Sequence, residues 1–165
     1  LTIPFPQLKY RKRLSTKRLI LHDSHTVPGR FDLKNWLTLE GRRQGLLSIG
    51  YHFLVLEDGQ HWMTRPHDTV GSHTPGFNHD SVGICLAGGR REVSGEDGEI
   101  LLRPADTFSK EQLEGLHWLV DHLEGNYGPL LVAAHTELGR HQHKHDYPCP
   151  ALRMDDLRGY LSLNR

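Results

Sequence analysis

Apolar positions along this chain fall either into short continuous runs or into stripes of helical spacing, and the two kinds alternate. Leu19-Ile20-Leu21 is a short run with charge before it and the polar stretch His22-Asp23-Ser24-His25-Thr26-Val27-Pro28-Gly29 after it, which predicts a buried strand feeding a loop. Phe31-Asp32-Leu33-Lys34-Asn35-Trp36 predicts a helix start, with Asp32 as N-cap and Phe31 stapled to Trp36, and an end near Gly45. Ile49 to Leu56 is strand-like, Glu57-Asp58-Gly59 is a turn, and Gln60 to Met63 returns, so the segment predicts a hairpin. Residues 67–81 are glycine-, histidine- and asparagine-rich and not periodic, hence a loop.

Ser81 to Gly89 predicts a buried strand whose glycines mark a close backbone approach or an abrupt stop. Residues 90–107 are charged and turn-rich and are expected to form a surface excursion. Ser109 with Gln112 makes a capping box, and Leu113, Leu116, Leu119, Val120 and Leu123 then recur on one helical face until Gly125 or Gly128. Leu130 to Ala134 is another strand, and Met154, Leu157 and Leu161 support a C-terminal helix. Helices alternating with strands, plus one hairpin, predict an α/β fold: a mixed central β-sheet flanked by helices in a single domain.

Composition narrows the function. At 165 residues the chain fits one domain with its own core. Lys plus Arg and Asp plus Glu both total 20, so no net field draws it to nucleic acid, and no specific nucleic-acid partner is expected. No apolar run is long enough to span a bilayer and no secretory signal is seen. Two cysteines do not make a disulfide framework; Cys85, inside an apolar run, is expected in the core. Residues 1–18 hold Lys9, Arg11, Lys12, Arg13, Lys17 and Arg18 and are expected to form a basic N-terminal arm on a domain of residues 19–165, with non-specific contact to an anionic envelope polymer or to nucleic acid as its functional alternative.

Thirteen histidines are the compositional anomaly. His22 and His135 each follow a predicted buried strand, and the ends of such strands are where α/β sheets collect ligands. Cys149, at the end of the tract His141-Gln142-His143-Lys144-His145-Asp146-Tyr147-Pro148, supplies a thiol. Two imidazoles and a thiolate are a donor set for a catalytic Zn2+ with an open fourth position. His141, His143 and His145 are expected to be a surface tract.

An ordered set of segments carries a resemblance: His22-Asp23-Ser24-His25-Thr26; Gly50-Tyr51-His52-Phe53 with Asp58-Gly59; Val70-Gly71-Ser72-His73; Gly76-Phe77-Asn78-His79-Asp80-Ser81-Val82-Gly83-Ile84-Cys85-Leu86; His135; and Cys149-Pro150. Running colinearly from about residue 19 to 155, they resemble the zinc-dependent type-2 N-acetylmuramoyl-L-alanine amidases, which share their fold with peptidoglycan recognition proteins. The nearest likeness is to small phage lysozyme-type amidase endolysins. The resemblance implies one Zn2+ ion and hydrolysis of the amide between the lactyl group of N-acetylmuramic acid and L-alanine of peptidoglycan, through zinc-activated water. It implies Tyr51 as a catalytic residue, and His52, Ser72, His73 and Asn78 as residues that line the substrate groove or support the metal. It also implies a monomer that waits in the host cytoplasm and acts on the wall in the periplasm. The rival class is a non-hydrolytic peptidoglycan-binding module.

The chain departs from the family where a lysine commonly precedes the third ligand by two residues, because Tyr147 stands there. With Cys149 as ligand, the following proline is kept and Lys144 has to reach in as the catalytic lysine from an altered loop. With Asp146 as ligand, Lys144 falls in register but the proline is lost. Cys149 is favoured, since a thiolate suits Zn2+ and Pro150-Ala151-Leu152 also matches.

Overall fold

The computed structural model describes residues 9–43, 49–138 and 148–163. Lys144, Asp146, Tyr147, His141, His143, His145 and the predicted helix end near Gly45 lie outside the described residues. The architecture is the expected one: a mixed five-stranded sheet with helices on both faces. Strands β1 (Arg18–Asp23), β2 (Phe53–Val55), β3 (His61–Met63), β4 (Ser81–Leu86) and β7 (Leu131–Ala134) lie in the order β3-β2-β4-β1-β7. β2, β4, β1 and β7 run parallel, and β3 closes one edge antiparallel to β2. Helices α1 (Leu33–Arg43) and α2 (Lys110–Tyr127) lie on the connections that lead from β1 to β2 and from β4 to β7, β2 is linked to its parallel neighbour β4 through β3 and the loop after it, and helix α3 (Met154–Leu163) follows β7.

Each strand turns alternate side chains to opposite faces. Leu19 and Leu21, Val82 and Ile84, Val132 and Ala134 face Leu116, Leu119, Val120 and Leu123 of α2 and Met154, Leu157 and Leu161 of α3 in the larger apolar core. Leu54 and Cys85 face the other way, against Trp36 of α1 and Ile49, so Cys85 is the core residue its apolar run predicts. His22 pairs in register with Cys85 in the centre of the sheet, where it is 1% exposed.

Local chemistry explains the helix ends. Asp32 Oδ1 accepts the Asn35 N–H at 2.9 Å, and the Phe31 and Trp36 rings lie 5.8 Å apart, as cap and staple require. At α2, Ser109 Oγ accepts the Gln112 N–H at 3.0 Å, but the reciprocal half of the predicted box is absent. Gln112 is instead fully buried, donating from Nε2 to Val55 O (3.0 Å) and Ala87 O (2.8 Å), so it ties the helix to β2 and to the end of β4. The helix stops at Gly128, whose φ of 80° is open to glycine at little cost.

Two predicted segments differ. Regular pairing in β2 begins at Phe53 rather than Ile49, because residues 49–52 bend to follow the loop at 69–72. The excursion at 90–107 contains a hairpin, β5 (Arg90–Ser94) with β6 (Ile100–Pro104), outside the main sheet. Its turn, Gly95-Glu96-Asp97-Gly98, uses φ +78° at Gly98. Most of its side chains stay in solvent, so no apolar alternation announced it.

Residues 11–13 lie along the loop at 67–70. Val70 N–H donates to Arg11 O, Arg13 N–H to Asp68 O, and the half-buried Arg13 guanidinium to Thr69 O (2.7 Å) and His67 O (2.6 Å), over the Tyr127 ring. Lys12 adds an ion pair with Asp68. Arg13→Ala is expected to lower stability by about 1–3 kcal/mol, the worth of charge-assisted hydrogen bonds, read as a drop in urea midpoint at unchanged m. A change within error would mean these contacts carry no net stability.

Candidate metal centre and active site

β1 and β7 are adjacent and parallel, so the residues that follow their apolar cores leave the sheet at the same end. His22 and His135 do so, with ring centroids 4.5 Å apart. His135 opens a 3-10 turn (His135–Glu137), and Glu137 secures it by accepting the Ala134 N–H at 2.8 Å while pairing with Arg158 of α3. The turn also receives the third group. Thr136 donates to Cys149 O through its backbone N–H (3.1 Å) and its hydroxyl (3.3 Å), which holds the Cys149 segment against the turn.

One donor atom each from His22, His135 and Cys149 lies within 4.8 Å of the others. A tetrahedral zinc ion, at about 2.0–2.3 Å from nitrogen and sulfur, needs donors roughly 3.3–3.7 Å apart, so small side-chain shifts suffice. The donor chemistry therefore fits zinc. Without a metal the thiol of Cys149 is protonated: burial first, then the negative charge of Asp23, pushes its pKa up to about 12, with the Asp23 backbone N–H and Arg90 opposing. A coordinating cation reverses that order, so loading the site releases a proton.

His22 is oriented from behind. Its Nε2 lies 3.0 Å from His73 Nδ1 and 3.2 Å from Thr74 Oγ1. His73 rests directly on β4, where a Cβ on Gly83 would come within 2.5 Å of its ring, so only glycine admits it. Burial, reinforced by neighbouring histidines and arginines, holds the His73 pKa well below the usual range and keeps the ring neutral. Asn78 Oδ1 accepts the backbone N–H groups of both His73 and Thr74 at 2.9 Å, fixing the turn that carries them. Tyr51 stands on the front side, its ring 4.9 Å from that of His22 and stacked at 6.0 Å on Trp36.

His52 lies deeper. It is fully buried, its Nε2–H donates to Thr69 O at 2.8 Å, and its Nδ1 accepts the Gly83 N–H at 2.9 Å. With both ring nitrogens taken by backbone, it holds the floor under His73 rather than facing the opening. Ser72 is half-buried, and its backbone N–H donates to Gly50 O. Of the residues singled out in the sequence, His22, His135, Cys149, Tyr51 and His73 thus come together, Asn78 supports them, and Lys144 lies outside the described residues.

Sequence reasoning passed over Thr74, Glu137, Trp36 as a stacking partner, and Asp23. Asp23 was the readable one, since a carboxylate next to a histidine at the end of a buried strand has to be paired.

A sequence model described as N-acetylmuramoyl-L-alanine amidase matches residues 12–151. An endolysin of Enterobacteria phage K11 is 31% identical over 136 residues, covering 80% of this chain and 82% of that one. Among solved structures, the N-acetylmuramoyl-L-alanine amidase LysC from Clostridium intestinale URNW superposes with a TM-score of 0.73 at 19% identity, over 98% of this chain and 96% of that one. Drosophila PGRP-LB superposes at 0.65 with 19% identity, over 89% and 81% of the respective chains. At such identity the structural likenesses carry the fold.

Proposed function

Since this chain belongs to the N-acetylmuramoyl-L-alanine amidase family, we propose that it hydrolyses the amide between the lactyl group of N-acetylmuramic acid and L-alanine of peptidoglycan, with one zinc ion held by His22, His135 and Cys149. The observation that carries this reading is the convergence of those three donors at one end of the sheet. When bound, zinc supplies Lewis acidity toward the scissile carbonyl and lowers the pKa of water enough to give a nucleophile at neutral pH.

The chain's own residues supply the rest. The pair His73 and Thr74 holds His22 in one orientation, which fixes the nitrogen left for the metal. The stack on Trp36 gives Tyr51 a set direction beside the ligands, from which its hydroxyl donates to the oxyanion as the carbonyl becomes tetrahedral. Tyr51→Phe is expected to lower kcat by about 10²–10³ with zinc content unchanged, in line with loss of one oxyanion donor. Equal loss of zinc and activity would instead make Tyr51 a support for the ligands.

Peptidoglycan is the partner on this reading, the protein acts as a monomer, and lysis of a phage host from within is its role. No helix among the described residues is long and apolar enough to cross a membrane. Lys144 is assigned the family's lysine role, and the arm of residues 1–18 an accessory contact with anionic envelope polymer. The deciding experiment is mass spectrometry of fragments released from purified peptidoglycan. Zinc-dependent appearance of peptides with a new N-terminal alanine, abolished by chelation, is the expected result; retained binding with no such peptide would leave a recognition module.

A further inference from the structure

Beside the three donors, a second group of side chains converges on the same sulfur: one atom each from Asp23, His25 and Cys149 lies within 4.8 Å of the others. The side chain of Asp23 is wholly buried, yet it follows the ligand His22 directly, so its charge needs partners. It has them. Oδ1 accepts the His25 N–H at 3.0 Å and lies 2.6 Å from His25 Nδ1, while Oδ2 accepts the Ala151 N–H at 2.8 Å across 128 residues of sequence. Gly89 leaves the seat open, since a Cβ there would come within 2.4 Å of the carboxyl carbon. His25 takes φ +57°, the left-handed region that non-glycine residues seldom occupy, to bring its backbone and ring nitrogens to one oxygen.

Resting on the metal reading above, we propose that Asp23 is a positioning residue for the zinc site: it joins the end of β1 to the segment carrying Cys149 and so fixes the distance between His22 and the sulfur. Its carboxylate reaches the sulfur's segment two residues past Cys149, and Thr136 holds the same segment at Cys149 O, so the thiol is pinned from both sides. The two oxygens of Asp23 already meet three nitrogens, and this engagement is what assigns it the part of a tie beside the ligands.

The test begins with the wild-type protein stripped of metal. Hydrogen exchange read by NMR should show the Ala151 amide protected; exchange at the rate of a free peptide would overturn the proposal whatever any variant does. Co2+ is then titrated as the probe. Wild type should bind one equivalent with a sulfur-to-cobalt charge-transfer band. Asp23→Asn, with unchanged circular dichroism, should bind Co2+ about 10–100-fold more weakly with a diminished band, the usual effect of removing a group that orients a ligand. In the zinc enzyme it should lower kcat more than it changes KM. Wild-type Co2+ affinity and band in Asp23→Asn would overturn the proposal, and so would a second equivalent that wild type binds and Asp23→Asn loses, since Asp23 would then be a ligand of a second ion. Should Asp23→Asn not fold, the Ala151 amide decides. Absence of any Co2+ uptake by wild type, or a charge-transfer band that survives in Cys149→Ala, would remove the metal reading itself; a protected Ala151 amide then shows that the tie exists but serves the fold alone.

Discussion

Cys149→Ala is expected to leave a folded protein that holds no tightly bound zinc and releases stem peptide no faster than chelated wild type. Two imidazoles alone do not retain zinc against a chelator, and the thiolate is the softest and most strongly held of the three donors. The fold should survive, because Cys149 lies outside both apolar clusters and its main packing role is through the backbone carbonyl that Thr136 takes, which alanine keeps. Asp146→Ala should leave zinc and activity largely intact. Metal analysis after dialysis, run beside the mass-spectrometric assay, reads both variants. Zinc retained in Cys149→Ala and lost in Asp146→Ala would place the third ligand three residues earlier.

The second large effect concerns acid. Burial drives the His52 pKa from 6.5 down to about 3, and its backbone contact with Thr69 only partly offsets this. The geometry explains the direction: protonation would put a hydrogen on Nδ1, the atom that accepts the Gly83 N–H. A histidine depressed in the folded state contributes its stability in full above the unfolded pKa, near 6.5, and loses it as pH falls toward 3. The contribution at stake is a large one for a single side chain, because the whole cost of charging a buried imidazole falls on the folded state. Metal-free wild type should therefore lose urea stability steadily as pH falls below the ordinary histidine range, with this residue taking up one proton on unfolding. His52→Gln, which keeps a donor and an acceptor but does not titrate, should start less stable and show a correspondingly shallower acid slope. Parallel slopes in the two proteins would sink the idea.

These two residues also show how far the sequence could be read. Cys149 and His135 were legible because each carries donor chemistry at the end of an apolar run or before a proline, and His22 became legible once a second strand-end histidine stood beside it. The mixed sheet followed from strands alternating with helices and from the one hairpin, which together leave an antiparallel edge on an otherwise crossover-linked sheet. His52 was legible as a histidine of interest but not as a buried one. Its environment is set by Gly83 and Thr69, whose approach depends on strand pairing rather than on local pattern. The hairpin at 90–104 escaped for the opposite reason: its strands bury little, so only its glycine-bounded turn marked it. Arg13 read as one charge in a basic arm, whereas the fold gives it two carbonyls.

The pairing of β1 with β7 bears on when the protein can become active during its own synthesis. Arg18 in β1 lies opposite Leu131 in β7, more than a hundred residues later, and Cys149 follows later still. A chain emerging from the ribosome thus presents His22 early, before His135 and Cys149 exist, and its inner strand β1 waits for β4 and then β7 before both edges are covered. Pairings of such separation form slowly. On the proposed zinc reading the donor set is complete only once Cys149 has been made, so truncated or stalled chains that end before it should be inert toward the wall.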